Sequence, residues 1–179
     1  SRGVSADLRM FNEQIADSIG GTDSSPIDYV NRVSYSMTGS ELQLSWHPTR
    51  ATHVFTTHAW TDISGVADAV SVYDPHPFRV AHGAPRYTGA VTVMHTFDAG
   101  LAVSLMHQRT EETALMSNGS GNPLYSMGRT DLRLAKAFRV GRSKAELAIT
   151  GQNLDVPYRD GDRKFFFDTR TLVTLRIEN

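Results

Sequence analysis

Residues 129–138 read Arg129-Thr-Asp-Leu-Arg-Leu-Ala-Lys-Ala-Phe138. A short polar turn leads to Ala145-Glu-Leu-Ala-Ile-Thr-Gly-Gln-Asn-Leu154, and a charged loop leads to Phe165-Phe-Phe-Asp-Thr-Arg-Thr-Leu-Val-Thr-Leu-Arg-Ile177. Each run alternates. In the first, Leu132, Leu134 and Phe138 share one parity, and Arg129, Asp131, Arg133 and Arg139 share the other. In the third, Phe165, Phe167, Val173, Leu175 and Ile177 oppose Asp168, Arg170, Thr174, Arg176 and Glu178. Side chains on a strand point to opposite faces with period two. Three successive strands therefore carry one apolar face and one strongly charged face. The charged side needs water or charged partners; the apolar side needs something oily.

Upstream the same pattern recurs. Over 4–15 the alternation is weak, with Val4, Ala6, Leu8 and Met10 against Ser5, Asp7, Arg9, Phe11 and Glu13, and a loop of turn formers is expected over 17–28. A second strand over 29–46 has Leu42, Leu44 and Trp46 on its apolar parity and Glu41, Gln43 and Ser45 on the other. A Thr-rich strand over 52–62 carries an aromatic on each parity, Phe55 and Trp60, so its faces stay open. An irregular stretch over 63–86 holds Pro75 and Pro77, which exclude sheet interior. Val91, Val93 and Phe97 oppose Thr88, Thr92 and Thr96, and Leu101, Val103 and Leu105 return after a tight turn.

The count is about eight strands, and their connections alternate in length. Long ones begin near Ala16, Ile63, Glu111 and Asp155; short ones sit near Pro48, Asp98 and Gly141. In an up-and-down antiparallel sheet, alternate connections lie at opposite ends, so one end is trimmed and the other elaborated. Outer-membrane barrels have this asymmetry. Trp46, Phe97 and Phe138 each precede a short turn on the apolar parity of their strands, as an aromatic girdle facing lipid would. The expected fold is all-β: an antiparallel up-and-down transmembrane β-barrel, eight of whose strands lie in this chain as part of a larger barrel.

The totals agree with this expectation and exclude other classes. A net charge of −1 and the lack of a basic stripe argue against a nucleic-acid partner. The 179 residues include no cysteine, which removes disulfides and thiolate chemistry. No run of eighteen apolar residues is present, so no transmembrane helix is expected. The opening Ser1-Arg-Gly-Val enters a strand-like run almost at once, as if cut from a longer polypeptide.

The same residues carry a family resemblance. Asp131-Leu-Arg-Leu-Ala135, then Ala148-Ile-Thr-Gly-Gln-Asn-Leu154 with Tyr158 close behind, then Phe167-Asp-Thr-Arg170 and a closing alternating strand resemble the C-terminal end of TonB-dependent outer-membrane receptors. Asn31 followed by Gly39-Ser-Glu41 is similar to an earlier strand of those barrels, and Ala59-Trp-Thr-Asp62 to the one after it. The resemblance covers residues 1–179 in order. It implies the C-terminal third of a barrel of about twenty-two strands, with the plug domain and TonB-contacting segment missing. It also implies a Gram-negative cell outer membrane and uptake of a scarce solute of the siderophore-iron or cobalamin class. The family usually closes on an aromatic residue; this chain ends on Asn179, and its Asn153-Leu-Asp-Val-Pro-Tyr158 is slightly compressed.

No catalytic constellation stands out, and enzyme activity, a cofactor and a metal are not expected. The seven histidines, His47, His53, His58, His76, His82, His95 and His107, form no zinc-type spacing. Asp155, Asp160 and Asp162 around Gly161 lack the oxygen spacing of a calcium loop. The charged parity would line a lumen. Arg129 and Asp131, nearest the long-loop end, are the leading ligand-path candidates, with Glu41, Arg133 and Arg170 beside them. The plainer reading for most of these is cross-strand ion pairing, roughly 0.2–1 kcal/mol per pair. Lys136, on the apolar parity near a short turn, is placed to snorkel to headgroups. Two alternatives remain: a stand-alone eight-stranded outer-membrane barrel with a structural or adhesive role, and a soluble β-sandwich binding module.

Overall fold

Alternation of this length leaves the backbone little choice but extended ladders, and the computed structural model is built of them. It describes residues 3–21, 29–68, 80–114, 124–159 and 166–178. The long strands are β1 (Gly3–Gly21), β2 (Tyr29–His47), β3 (Thr52–Asp68), β4 (Tyr87–Thr96), β5 (Leu101–Ala114), β6 (Leu124–Val140) and β7 (Ser143–Gln152). Two short strands follow, β8 (Tyr158–Arg159) and β9 (Phe166–Phe167), then β10 (Arg170–Glu178).

One antiparallel eight-stranded sheet runs β1-β2-β3-β4-β5-β6-β7-β10, every strand beside its predecessor in the sheet; β8 and β9 form a separate small hairpin. The all-β, antiparallel, up-and-down expectation holds. Among the described residues the sheet is open: β1 pairs only with β2, and β10 only with β7. The connections at 48–51, 97–100 and 141–142 are short and share one end of the sheet, while the four others are long and share the opposite end.

The register adds what parity alone could not. A single rung crosses all eight strands: Val4, Trp46, Val54, Val93, Leu105, Leu132, Gly151 and Thr171. It lies one residue from the trimmed end of β1 but seven from the trimmed end of β10. The strands therefore slip by about six residues in seven pairings. At ~3.3 Å per residue and ~4.8 Å per strand, the line of trimmed turns is inclined by roughly 30°, close to the tilt of barrel strands.

Three expectations need correcting. The first strand does not stop before Asp17. It absorbs Asp17 in a left-handed conformation (φ 53°) beside a register slip and continues to Gly21, because β2 still supplies ladder partners. The third strand likewise runs on to Asp68, with Val33 and Ser34 of β2 paired to Asp68 and Ala67. The run expected from Phe165 to Ile177 is broken: Phe167 belongs to the β8–β9 hairpin and the sheet strand starts at Arg170. Phe165 itself lies outside the described residues.

There is no oily interior of ordinary kind. Among the described residues, the buried apolar side chains are Val33, Val80 and four alanines. Substantial packing runs between hydrogen-bonded neighbours, with small additions where β6 meets β8 and the helical turn Asp98–Gly100. Leu134, Val93 and Leu175 remain 44%, 37% and 59% exposed, so they do not converge on a dry space between two layers, as a sandwich would require.

Candidate membrane-facing surface and charged inner face

The common rung assigns every strand to one of two faces. The apolar face carries Val4, Leu8 and Met10 on β1; Leu42, Leu44 and Trp46 on β2; Val91 and Val93 on β4; Leu101, Val103 and Leu105 on β5. It continues with Leu132, Leu134 and Phe138 on β6, Leu147 and Ile149 on β7, and Val173, Leu175 and Ile177 on β10. It also settles the strand whose faces the sequence left open. Val54 sits between Trp46 and Val93, so Trp60 joins the apolar face and Phe55 the other.

Trp46, Phe97 and Phe138 all lie at the trimmed end of this face, each more than a third exposed. Phe97 extends β4, its N–H donating to the Leu101 carbonyl at 2.7 Å, and its ring meets His95 edge-on at 4.3 Å. Lys136 lies on the same face, and its Nζ donates to the Ala99 carbonyl of the trimmed turn at 2.5 Å.

A second aromatic group, missed in the sequence, lies at the other limit of the same face. Trp60 and Tyr87 are opposed across β3 and β4, with ring centroids 5.5 Å apart. His58 completes the group: its Nδ1 is 2.7 Å from the Tyr87 hydroxyl, and its Nε2 2.7 Å from Thr56 Oγ1. Tyr87 leans over Gly89 to make this bond; a Cβ on Gly89 would collide with the hydroxyl. The two polar residues on this stretch of the apolar face, Thr56 and His58, thus have partners within the face. Thr56 also donates to the Ala90 carbonyl at 2.8 Å.

Beyond this group the same parity turns polar: Asn12 on β1, Thr38 and Ser36 on β2, Asp62 and Ser64 on β3. On β4, Tyr87 and Phe97 bracket the apolar stretch ten residues apart. That is about 33 Å along the strand and roughly 25–30 Å along the normal to an inclined sheet. The band crosses the strands obliquely, following the trimmed edge. It begins at Val4 and ends at Met10 on β1, and begins at Ile177 and ends at Val173 on β10.

The opposite face holds the ligand-path candidates, in two groups. Arg129, Asp131, Arg133 and Arg170 gather on β6 and β10. Arg129 grips Asp131 with two hydrogen bonds, Nε–Oδ1 at 2.8 Å and Nη2–Oδ2 at 2.6 Å, both side chains largely covered. Arg133 donates to Glu146 at 2.6 Å, and Arg176 pairs with Glu178. The Arg170 guanidinium lies 5.3 Å from the Phe167 ring centroid. Glu41 is elsewhere, four strands away on β2, in a polar groove of about 300 Å³ with Arg9, Gln43, Thr57 and Gln108.

The first group does more than pair charges: it fixes the exit from β7. Asn153 adopts a left-handed conformation (φ 54°), which asparagine tolerates better than most residues. It is 3% exposed. Its N–H donates to Asp131 Oδ1 at 2.9 Å, its Nδ2 to the Phe167 carbonyl at 2.8 Å, and its carbonyl accepts from Thr169 Oγ1 at 2.8 Å. Leu154 N–H donates to the Thr130 carbonyl, and Tyr158 stacks on Phe167 at 5.2 Å. The Asn-Leu pair and the Tyr that follows thus have a physical role, folding the long connection back on β6 and launching β10.

Gly39, in the Gly-Ser-Glu run of β2, has a comparable reason. A Cβ there would collide with the Trp60 carbonyl oxygen and stand 2.5 Å from the Phe11 ring. Among the described residues no three His, Asp or Glu side chains gather as a metal site. His47 stacks on His53 at 4.2 Å, and His53, His95 and His107 each bond a neighbouring hydroxyl. His76, Asp160 and Asp162 lie outside the described residues. No known family model matches the chain, and no curated protein matches it either.

Proposed function

We propose that this sheet is wall: part of an outer-membrane β-barrel whose apolar face meets lipid and whose charged face borders a water-filled lumen. The observation that carries the reading is the oblique band of exposed or half-exposed apolar side chains, narrowed to Val54 and Trp60 on β3. It crosses all eight strands, lies between aromatic residues at both limits, and gives way to polar residues on the same parity beyond Trp60. A bilayer's hydrocarbon accounts for a band of this height with such borders. An aqueous surface does not; exposed apolar patches of this extent mark an interaction surface.

Within that reading, the resemblance of the 131–177 region makes the chain the C-terminal part of a TonB-dependent receptor for a siderophore-iron or cobalamin-class solute. The plug segment of such a receptor would contact TonB and gate the path. The open sheet supports a larger barrel over one closed by these eight strands, because β1 and β10 each retain an unpaired edge. The test is a charge placed mid-band. Leu134→Lys or Val93→Lys should cost about 2–4 kcal/mol of folding stability in lipid. A harmless lysine at both positions would end the membrane reading.

A further inference from the structure

One rung of the charged face, at the trimmed end, sets three metal-binding side chains next to one another. Met94 on β4 is the ladder partner of His53 on β3. His47 on β2 stands across from His53, one residue nearer the turn than the paired Trp46 and Val54. Each of the three is the chain neighbour of an apolar-face residue, Trp46, Val54 or Val93, so each points to the charged side. The two imidazoles stack 4.2 Å apart and 6° from parallel. Side chains opposed across a ladder start from Cβ atoms roughly 4.5–5.5 Å apart, a separation that two ligands of one ion can span.

The surroundings favour an ion. Gly3 of β1 is the other partner of His47, and a Cβ there would meet nothing, so no side chain crowds the pair. The Ser45 hydroxyl lies 2.9 Å from His53 Nε2. With the Nε2 proton donated to Ser45, Nδ1 keeps its lone pair; an outer hydrogen bond of this kind orients a ligating imidazole. The His47 ring is exposed and has no hydrogen-bond partner among the described residues. It can turn about χ2, a broad torsion, to aim a nitrogen at the same point. The turn between the histidines is braced by Thr49, whose hydroxyl lies 2.8 Å from Thr52 Oγ1 and accepts from the Ala51 N–H at 3.2 Å. Methionine is ordinarily buried, yet Met94 is 39% exposed on this polar face, with Ser104 as its other ladder partner. Donor type then selects the metal. Imidazole suits zinc, nickel and copper, whereas a thioether is soft and favours Cu⁺. The rung from Gly3 through Ser104 holds no carboxylate, so it offers hard cations no oxygen cage.

We propose that His47, His53 and Met94 bind Cu⁺ through two imidazole nitrogens and one thioether sulfur. The donors come from three strands, so no spacing along the chain announces the site. The proposal rests on the strand register and is independent of the membrane reading. In the test, purified protein in detergent is titrated with Cu⁺, kept reduced by ascorbate, against a colorimetric Cu⁺ chelator, and separately with Zn²⁺. A single tightly held Cu⁺ per chain is expected. His47→Ala or His53→Ala should weaken it about a hundredfold, the loss of one arm of a chelate. Met94→Leu should weaken Cu⁺ and leave Zn²⁺ binding unchanged. X-ray absorption of the copper-loaded, unaltered protein needs no variant to fold: sulfur beside copper must be thioether, because the chain has no cysteine. A copper shell without sulfur, unchanged Cu⁺ affinity in Met94→Leu or in the double histidine variant, or tighter binding of Zn²⁺ than of Cu⁺ overturns the site.

Discussion

Arg133 and Leu134 are neighbours on β6, and they are almost equally exposed, 39% for the arginine side chain and 44% for the leucine. Their surroundings differ completely. Arg133 points to a face where carboxylates, hydroxyls and amides answer one another, and it holds Glu146 at 2.6 Å. Leu134 points to a face where its neighbours at the same rung are Val103 and Ile149, and none of the three is fully covered. A soluble sheet hides its apolar face against a second layer. This sheet hides neither face, so exposure alone says nothing about which side is wet. Chemistry distinguishes them, and on the proposed reading the two sides of one layer meet two different media.

Lysine substitution would break that contrast most sharply. At Leu134 or Val93 the expected loss is about 2–4 kcal/mol, read from denaturant unfolding of protein in lipid vesicles. The same change at Thr38, on the same face but beyond the upper aromatics, should cost less than about 0.5 kcal/mol. Equal effects at the two heights would erase the band. Next in size is Asn153→Ala. It removes the hydrogen bond to the Phe167 carbonyl and puts a poorly suited residue at φ 54°, for an expected cost of about 1–3 kcal/mol. Proteolysis of the connection between β7 and β10 should rise in parallel; unchanged cleavage would show that the turn does not depend on the side chain.

Smaller is Glu146→Gln, which leaves Arg133 without its carboxylate on the wet face. With both side chains more than a third exposed, the loss should be about 0.2–1 kcal/mol and should shrink with added salt. A larger, salt-independent loss would mean this face is drier than proposed. The last prediction carries no energy at all. The chain has no cysteine, so paired substitutions give an unambiguous cross-link. Leu147→Cys with Leu175→Cys, opposed across β7 and β10, should form a disulfide in the assembled protein. Ala6→Cys with Leu175→Cys, on the two edges, should not; a disulfide there would close the sheet on itself.

Much of this was legible in the chain because alternation survives wherever one face is apolar and the other charged. β2 and β4 to β7 declared their faces by parity alone, and so did Val173 to Ile177 on β10; β1 did so weakly, with Phe11 on the polar parity. β3 did not, since Phe55 and Trp60 fall on opposite parities; only the register puts Trp60 on the apolar face, where the polar atoms of Thr56 and His58 find partners. Trp60 and Tyr87 were therefore invisible as a second aromatic limit. The strand ends were misjudged for a related reason: Asp17, Ser18 and Gly20 look like turn formers locally, but β2 pairs with Ser18 and Gly20, so the ladder resumes beyond the left-handed Asp17. The sequence placed the ligand-path candidates on the charged face, and the register keeps Arg129, Asp131, Arg133, Arg170 and Glu41 together on it. The sequence could not show that Arg129 and Asp131 are engaged with each other and with the Asn153 turn, because that meeting joins residues 22 apart through a left-handed backbone.

The open margin along β1 has a practical consequence. Among the described residues no strand lies beyond β1, Gly3–Gly21, on that side, and no proline interrupts it. Such a margin recruits whatever chain it meets. Expressed by itself in water, this polypeptide should stack copy upon copy into fibrils that bind thioflavin and diffract at about 4.7–4.8 Å along the fibre axis. Refolding work on it should start from detergent rather than from dilution into buffer.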